Sequence, residues 1–252
     1  MARYFIEVAY LGTSFNGFQI QDNQLTVQGE INRALSLILK QAIQTTTSSR
    51  TDAGVHAYQN FLHFDTEKPL STKTIYSMNA IVHADLVIKN IYAVASDNHS
   101  RFDATGRKYS YHVIQEKNPF LKETAYFFPF AIDVELMNEA AKLLIGKFDF
   151  TSFSKRNTDV NNYFCTIELA YWEVHKNYLT FHIQSNRFLR GMVRAIVATL
   201  LQVGRKKISI QDFQSIIDSK DCTKADFSAD GCGLFLEEVK YNIPLKPVEH
   251  LK

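Results

Sequence analysis

The stretch Ser48 to Ala57, SSRTDAGVHA, holds an acid, Asp52, two residues after Arg50 and two before Gly54. The segment is too polar and too broken for a helix or a core strand. Thr-Asp-Ala-Gly suits a type I turn with Gly54 in its last position, which would make Asp52 an Asx-turn residue and Arg50 an incidental neighbour. The sharper alternative is a carboxylate held at a loop apex beside a cation, which lowers its pKa and keeps it ionised. An ionised, partly desolvated carboxylate can act as nucleophile or base. His56 lies close by, but no Ser or Cys is placed to complete a triad, and a single nearby His is more often structural.

Two further stretches bear on that choice. In NRFLRGMVRAIVATLLQVG, a helix would bring Arg187, Arg190 and Arg194 within about 60° of one another. Phe188, Leu189, Met192, Val193, Ile196, Val197 and Leu200 would cover the rest of its circumference. From Ala195 to Leu201 only Thr199 is polar, so this half is expected to be buried, with Arg194 at its entrance. A guanidinium there is costly unless paired. It is a structural ion pair, a side chain that snorkels to solvent, or the cation for a buried acid, with Asp52 a candidate. In HSRFDATGRKYSYHV, Arg101, Arg107 and Lys108 alternate with Phe102, Tyr109 and Tyr111. Tyr109 and Tyr111 share a strand face and suit a core; basic residues between aromatics also suit an unstacked RNA base beside its phosphates. The basic VGRKK at Gly204 to Lys207 reads as a solvated helix end favourable to the helix dipole.

Other chemistry finds little support. None of the eight His pairs as His-x-x-x-His or with a Cys at ligand spacing. No Walker loop occurs and GTSFNG lacks a dinucleotide fingerprint, so a reaction without cofactor or metal is expected. Cys165, Cys222 and Cys232 are odd in number and lack Cys-x-x-Cys spacing, which argues against a disulfide framework and for a reducing cytoplasm. The net charge of +2 gives no global basic excess, so nucleic-acid binding would need local patches. No apolar run is long enough to span a membrane, and MARYFIEVAY reads as a strand, not a signal peptide.

The elements that must position these residues follow from periodicity. RYFIEVAYLG is a strand ending in a glycine-bearing loop, GTSFNGFQIQ. Thr26 caps a helix whose stripe is Ile31, Leu35, Ile38 and Leu39. QAIQTTTSSR reads as a strand leading into the Asp52 loop, YQNFLHFDT as another, STKTIYSMNAIV as a helix and LVIKNIYAV as an apolar strand. The pattern then restarts, with GRKYSYHVIQ a strand and DVELMNEAAKLLIG a helix ending near Gly146. AYWEVHKNYLTFHIQS is a hairpin turning at Lys176 and Asn177. RFLRGMVRAIVATLLQVG is the longest helix, SIQDFQSIID a short one, and GLFLEEVKY a closing strand. The expected class is α+β, two similar halves whose strands join in one mostly antiparallel sheet. Residues 1–105 form the first half and 106–252 the second, with the boundary near Asp103 to Arg107.

In that order and spacing the chain resembles the bacterial tRNA pseudouridine synthase A family over nearly its whole length. YLGTSFNGFQIQ is similar to the family's Tyr-x-Gly-x-x-Phe-x-Gly-Phe-Gln-x-Gln signature, and TVQGEINRAL to the helix after it. SRTDAGVHA resembles the active-site loop; RFDATGRKYSY, FDFTSF, NRFLRGMVRAIV and GLFLEEV follow in family order. The resemblance implies that Asp52 is the catalytic aspartate, Arg50 its companion in the loop, and Arg194 the helix arginine that pairs with it. It implies Tyr109 against the target uracil, Leu234 in the apolar strand by the pocket, and Arg101 and Arg107 on the RNA. It further implies two ferredoxin-like halves with flanking helices, a homodimer, and isomerisation of uridines in the tRNA anticodon stem-loop, positions 38–40. The implied partners are tRNA and a second copy, with neither membrane nor DNA, and no cofactor.

The departures are local. Ser49 stands where Gly is usual, Phe148 where His is common, Gly191 where Asn is common, and Asp230 or Gly231 near a usual Pro. The chemistry fits: exchanging an N-glycosidic bond for a C5 bond needs no redox change, the base must leave its stack, and an aromatic can support it. The residues leave open whether Asp52 attacks the ribose, adds to the base or takes a ribose proton. The rival expectation is an RNA-binding protein on the same scaffold without catalysis; intact Asp52, Arg50, Tyr109 and Arg194 argue against it. A hydrolase using Asp52 as base is weaker, having no partner acid or metal site.

Overall fold

A computed structural model describes residues 1–156, 160–176 and 178–249. In chain order its elements begin with strand β1 (Ala2–Tyr10), helix α1 (Val27–Leu39), β2 (Thr46–Thr47), β3 (His56–Thr66), α2 (Thr72–Asn79) and β4 (Leu86–Val94). They continue with β5 (Ala104–Ile114), β6 (Tyr126–Phe127), α3 (Val134–Lys142), β7 (Gly146–Asp149), β8 (Phe164–Val174) and β9 (Leu179–Ser185). Helices α4 (Met192–Gly204) and α5 (Ile210–Ser219) precede β10 (Leu234–Tyr241) and β11 (Lys246–Pro247). The class is α+β with mostly antiparallel strands. The chain divides into two units, residues 1–105 with 236–252, and residues 106–235.

In the first unit the strands run β11-β4-β1-β3, with residues 236–241 of β10 beyond β3 and β2 paired to β3. β1 is antiparallel to both β3 and β4. Phe5, Ile6 and Val8 are fully buried, so side chains on both faces of β1 are covered. Helix α1 starts where the Thr26 hydroxyl accepts the Gly29 amide and ends at Lys40 in the left-handed region, φ 50°. Its stripe of Ile31, Leu35 and Leu39 is buried, each side chain adding about 1.5–3 kcal/mol; Ile38 is only partly covered. Residues 236–252 were expected in the second half. They belong to the first unit because β10 continues its sheet beside β3, where the Val239 amide donates to Gln59 Oε1 at 3.1 Å and Tyr241 packs edge-on against Phe61.

In the second unit the order is β5-β9-β8-β7, antiparallel throughout, with β6 parallel to the end of β5. Helix α3 is tied to β8 by Asn138, which donates to Trp172 O at 3.1 Å and accepts its amide at 2.7 Å. The hairpin joins β8 and β9 as expected; Asn177, expected in its turn, lies outside the described residues.

Two expectations need correction. QAIQTTTSSR contributes only the short β2; the Ser48 amide still donates to Phe61 O at 2.8 Å, and Ser49 and Arg50 then begin the loop. The long helix starts at Met192, not near Arg187, and matches α1 in length at 13 residues. Gly191 sits at its N-terminus with φ 75°, a left-handed conformation that breaks the helix. Arg187 and Arg190 therefore precede the helix, and the three-arginine face does not form on it. Asn, common here in the resembled family, is the other residue that tolerates this conformation, so the Gly191 departure preserves the backbone.

Candidate active site

Asp52 stands at the head of a turn, its carbonyl accepting the Val55 amide at 3.2 Å. The turn spans Asp52 to Val55, one residue later than Thr-Asp-Ala-Gly suggested. Gly54 occupies the third position with φ 75°, as a type II turn demands, instead of the last position of a type I turn. Asp52 is half-buried, Thr51 before it is buried and Arg50 is exposed. The carboxylate is thus held outside regular structure, at the edge of solvent.

The turn is clamped from both sides by the glycine-bearing loop after β1. On one side, the Phe18 amide donates to Thr51 O at 3.0 Å. Gly17, φ 88°, lies so close that a Cβ there would stand 3.1 Å from Thr51 O and 3.3 Å from Ala53 N. On the other side, a Cβ on Gly12 would fall 2.1 Å from Val55 O. The Gly12 amide donates to His56 Nδ1 at 3.0 Å. His56 is fully buried and begins β3. Accepting a backbone N–H puts its lone pair on Nδ1 and its proton on Nε2, so it serves the scaffold.

Asn60 closes the other flank. Fully buried, it donates to Ser49 O at 2.9 Å and to the Tyr10 hydroxyl at 3.2 Å, and accepts from Ser48 Oγ and the Phe61 amide. The Tyr10 hydroxyl in turn shares a hydrogen bond of 2.9 Å with the Thr51 hydroxyl. Ser49 takes no positive φ, so the absence of Gly at this position costs the loop nothing. Nothing in the periodicity singled out Asn60; the available signal was an amide on a face where Leu62 and Phe64 are buried. The one deeply buried carboxylate on β1, Glu7, is spent on structure. It accepts from Gln59, Asn90 and Tyr92 and faces Lys89 at 3.4 Å. Burial pushes its pKa up, but these hydrogen bonds outweigh that and hold it below the usual value.

The remaining predicted residues lie in the second unit, apart from Arg101, which is exposed in the first. On β5, Arg107 and Tyr109 alternate inward. Arg107 Nη1 donates to Asn186 O at 3.2 Å, and the buried Tyr109 ring meets Phe188 edge-on, centroids 5.1 Å apart. Tyr111, next on that face, donates its hydroxyl to Asp230 O at 2.7 Å. Arg194, half-buried in the first turn of α4, donates through Nε to Ala229 O at 2.7 Å. Strand and helix thus grip successive carbonyls of one segment, Ala229 and Asp230. Where the resembled family has Pro, the Asp230 side chain caps the short turn Gly231–Gly233 by accepting the Cys232 amide. Gly233 passes so close to β5 that a Cβ would lie 2.7 Å from His112 O and 2.8 Å from the Tyr111 ring. That passage delivers the buried Leu234. Phe148 lies half-open on β7, its ring edge-on to Phe150.

Burial pushes the Cys165 thiol up to about 11, and burial beside Asp230 does the same for Cys232, so neither is a thiolate near neutrality. Among the described residues no group of three His, Cys, Asp or Glu could hold a metal ion, and no helix is long and apolar enough to cross a membrane. The structure offers a fixed, half-buried carboxylate on one unit and, on the other, a buried tyrosine, an oriented guanidinium and an apolar strand end.

The α+β fold holds one loop aspartate in a clamped turn, and the comparisons place the chain in a class of RNA-modifying isomerases. Residues 140–242 match the family model described as tRNA pseudouridine synthase. The chain is 44% identical over 251 residues to the tRNA pseudouridine synthase A of Parabacteroides distasonis, covering 99% of this chain and all of that one. It is 44% identical over 245 residues to that of Bacteroides thetaiotaomicron, covering 96% and 91%, and 40% identical over 245 residues to that of Anoxybacillus flavithermus, covering 96% and 100%. The chain belongs to the tRNA pseudouridine synthase A family, a family of isomerases.

Proposed function

We propose that the protein converts uridine to pseudouridine in the anticodon stem-loop of tRNA, at positions 38–40, with Asp52 as the catalytic nucleophile. The observation that carries this is the double clamp on Asp52: main-chain contacts from Gly12, Gly17 and Phe18 fix the turn before and after it. A catalytic carboxylate gains from such preorganisation, because misplacement by an ångström can cost about a hundredfold in rate. Arg50 accompanies Asp52 in the loop, Arg194 pairs with its carboxylate, Tyr109 supports the flipped uracil, and Leu234 closes the apolar side. Arg101 and Arg107 meet the RNA. The working form is a cytoplasmic homodimer.

In the reaction the N1–C1′ bond breaks, the uracil turns within the site and C5 bonds to the same C1′. C5 then gives up its proton to solvent and N1 takes one, so atoms and electrons balance with no cofactor. The C5 proton provides the test. With a tRNA transcript tritiated at uracil C5, the protein is expected to release tritium in proportion to pseudouridine mapped at positions 38–40. Binding of the transcript without tritium release would leave only the rival function, an RNA-binding protein that has lost catalysis.

A further inference from the structure

We infer that Phe102 is a stacking platform for an unpaired nucleobase of the RNA substrate. This rests on the proposed function and adds a binding residue to it.

Phe102 is 75% exposed, yet its ring is not loose. It stacks on the His99 imidazole, centroids 4.2 Å apart and planes 33° from parallel. His99 in turn meets His63 at 4.5 Å. His63 is buried and is held by Ser100, which is fully buried and fastened to Thr46 O. Three aromatic rings thus form a column that rises from the core of the first unit and ends in solvent.

The turn carrying the column is closed by its own hydrogen bonds. Asp103 Oδ2 accepts the His99 amide at 2.8 Å and Asn98 Nδ2 at 3.1 Å, and the Asp103 amide returns to His99 O at 3.0 Å. Arg3 donates to Asn98 O, and Tyr241 to Ser100 O. His99 Nδ1 accepts the amides of Arg101 and Phe102, which fixes the angle at which the final ring is presented. Burial lowers the pKa of both histidines, that of His63 to about 4, so near neutrality the column is uncharged. A rigid, neutral aromatic face needs no ordering when a base stacks on it. Its cation is Arg101: the guanidinium carbon lies over the Phe102 ring, 5.8 Å from its centroid, and so within reach of the phosphate of a nucleotide that stacks there. An exposed Phe beside a cation suits a base and its phosphate better than it suits an apolar protein partner, whose contact would strand the charge.

The test uses the full chain carrying Asp52→Ala, so that RNA binds without turnover, and an anticodon stem-loop RNA with 2-aminopurine at one loop position at a time. Stacking quenches that probe. One loop position is expected to be quenched with Phe102 present and also with Phe102→Trp. Phe102→Ala and Phe102→Leu are expected to abolish the quench and weaken binding about fivefold or more. In the otherwise wild-type enzyme Phe102→Ala is expected to raise KM with kcat little changed. Unchanged affinity and quench with Phe102→Ala would overturn the platform, whatever the enzyme makes. Quench without pseudouridine formation by the wild type would instead sink the catalytic proposal and leave the platform standing.

Discussion

The Gly12 amide and His56 Nδ1 lie 3.0 Å apart, and this hydrogen bond locks the loop after β1 onto the residue that follows the Asp52 turn. Gly12→Ala would drive a Cβ to within 2.1 Å of Val55 O, and no flexible side chain is there to yield. Overpacking against backbone costs about 1–3 kcal/mol or more. The expected outcome is a lower urea midpoint together with loss of isomerase activity.

His56→Ala leaves the buried Gly12 amide without this acceptor, at about 1–3 kcal/mol. Because His56 acts as scaffold and not as a proton carrier, the folded variant should keep the wild-type dependence of kcat on pH. A lost limb in that profile would show instead that His56 takes part in proton transfer.

The segment Ala229 to Leu234 is held by Arg194 from α4 and by Tyr111 from β5. Tyr111→Phe removes one hydrogen bond, expected to cost about 0.5–1.5 kcal/mol in urea unfolding. Gly233→Ala is expected to cost more, since its Cβ would meet both His112 O and the Tyr111 ring.

Much of this was legible in the residues. Thr26 announced the start of α1, and the alternating aromatics of GRKYSYHVIQ announced β5, because capping and pleat are local properties. The Asp52 loop was legible as a turn, yet its register was not: Thr-Asp-Ala-Gly and Asp-Ala-Gly-Val are both acceptable turns, and the clamp from Gly12 and Gly17 decides between them. The start of α4 was misplaced because arginine spacing says nothing about the φ of Gly191. The return of residues 236–252 to the first unit was invisible, since strand pairing across the chain leaves no local trace. Asn60 escaped for the same reason, since its bonds to Ser49 O and the Tyr10 hydroxyl reach distant segments, whereas His56 was read as structural and is so.

The His63 pKa falls from 6.5 to about 4, first through burial and then through the nearby positive charges of His99 and Arg3, against Asp65 and Asp103. A depressed histidine pKa means that protons bind the unfolded chain more tightly. Its contribution is fully present above pH 6.5 and is lost as the pH falls toward 4, by about 2 kcal/mol at pH 5. Urea unfolding at pH 7 and pH 5 should show a larger drop for wild type than for His63→Gln; equal drops would contradict it.

The proposed role of Arg194 as the cation for Asp52 predicts energetic coupling. In a double-mutant cycle of Asp52→Asn and Arg194→Gln read by urea unfolding, the interaction should amount to about 0.5–3 kcal/mol. Additive effects would mean that the two residues act separately.

If Asp52 performs the chemistry, its removal must abolish the product while leaving the RNA bound. Unmodified tRNA is incubated with the wild-type protein and with Asp52→Ala, and pseudouridine is mapped along both products. Wild type should place pseudouridine in the anticodon arm and the variant none, although the variant still binds the tRNA. Pseudouridine formed by Asp52→Ala, or none formed in that arm by wild type, would contradict the account.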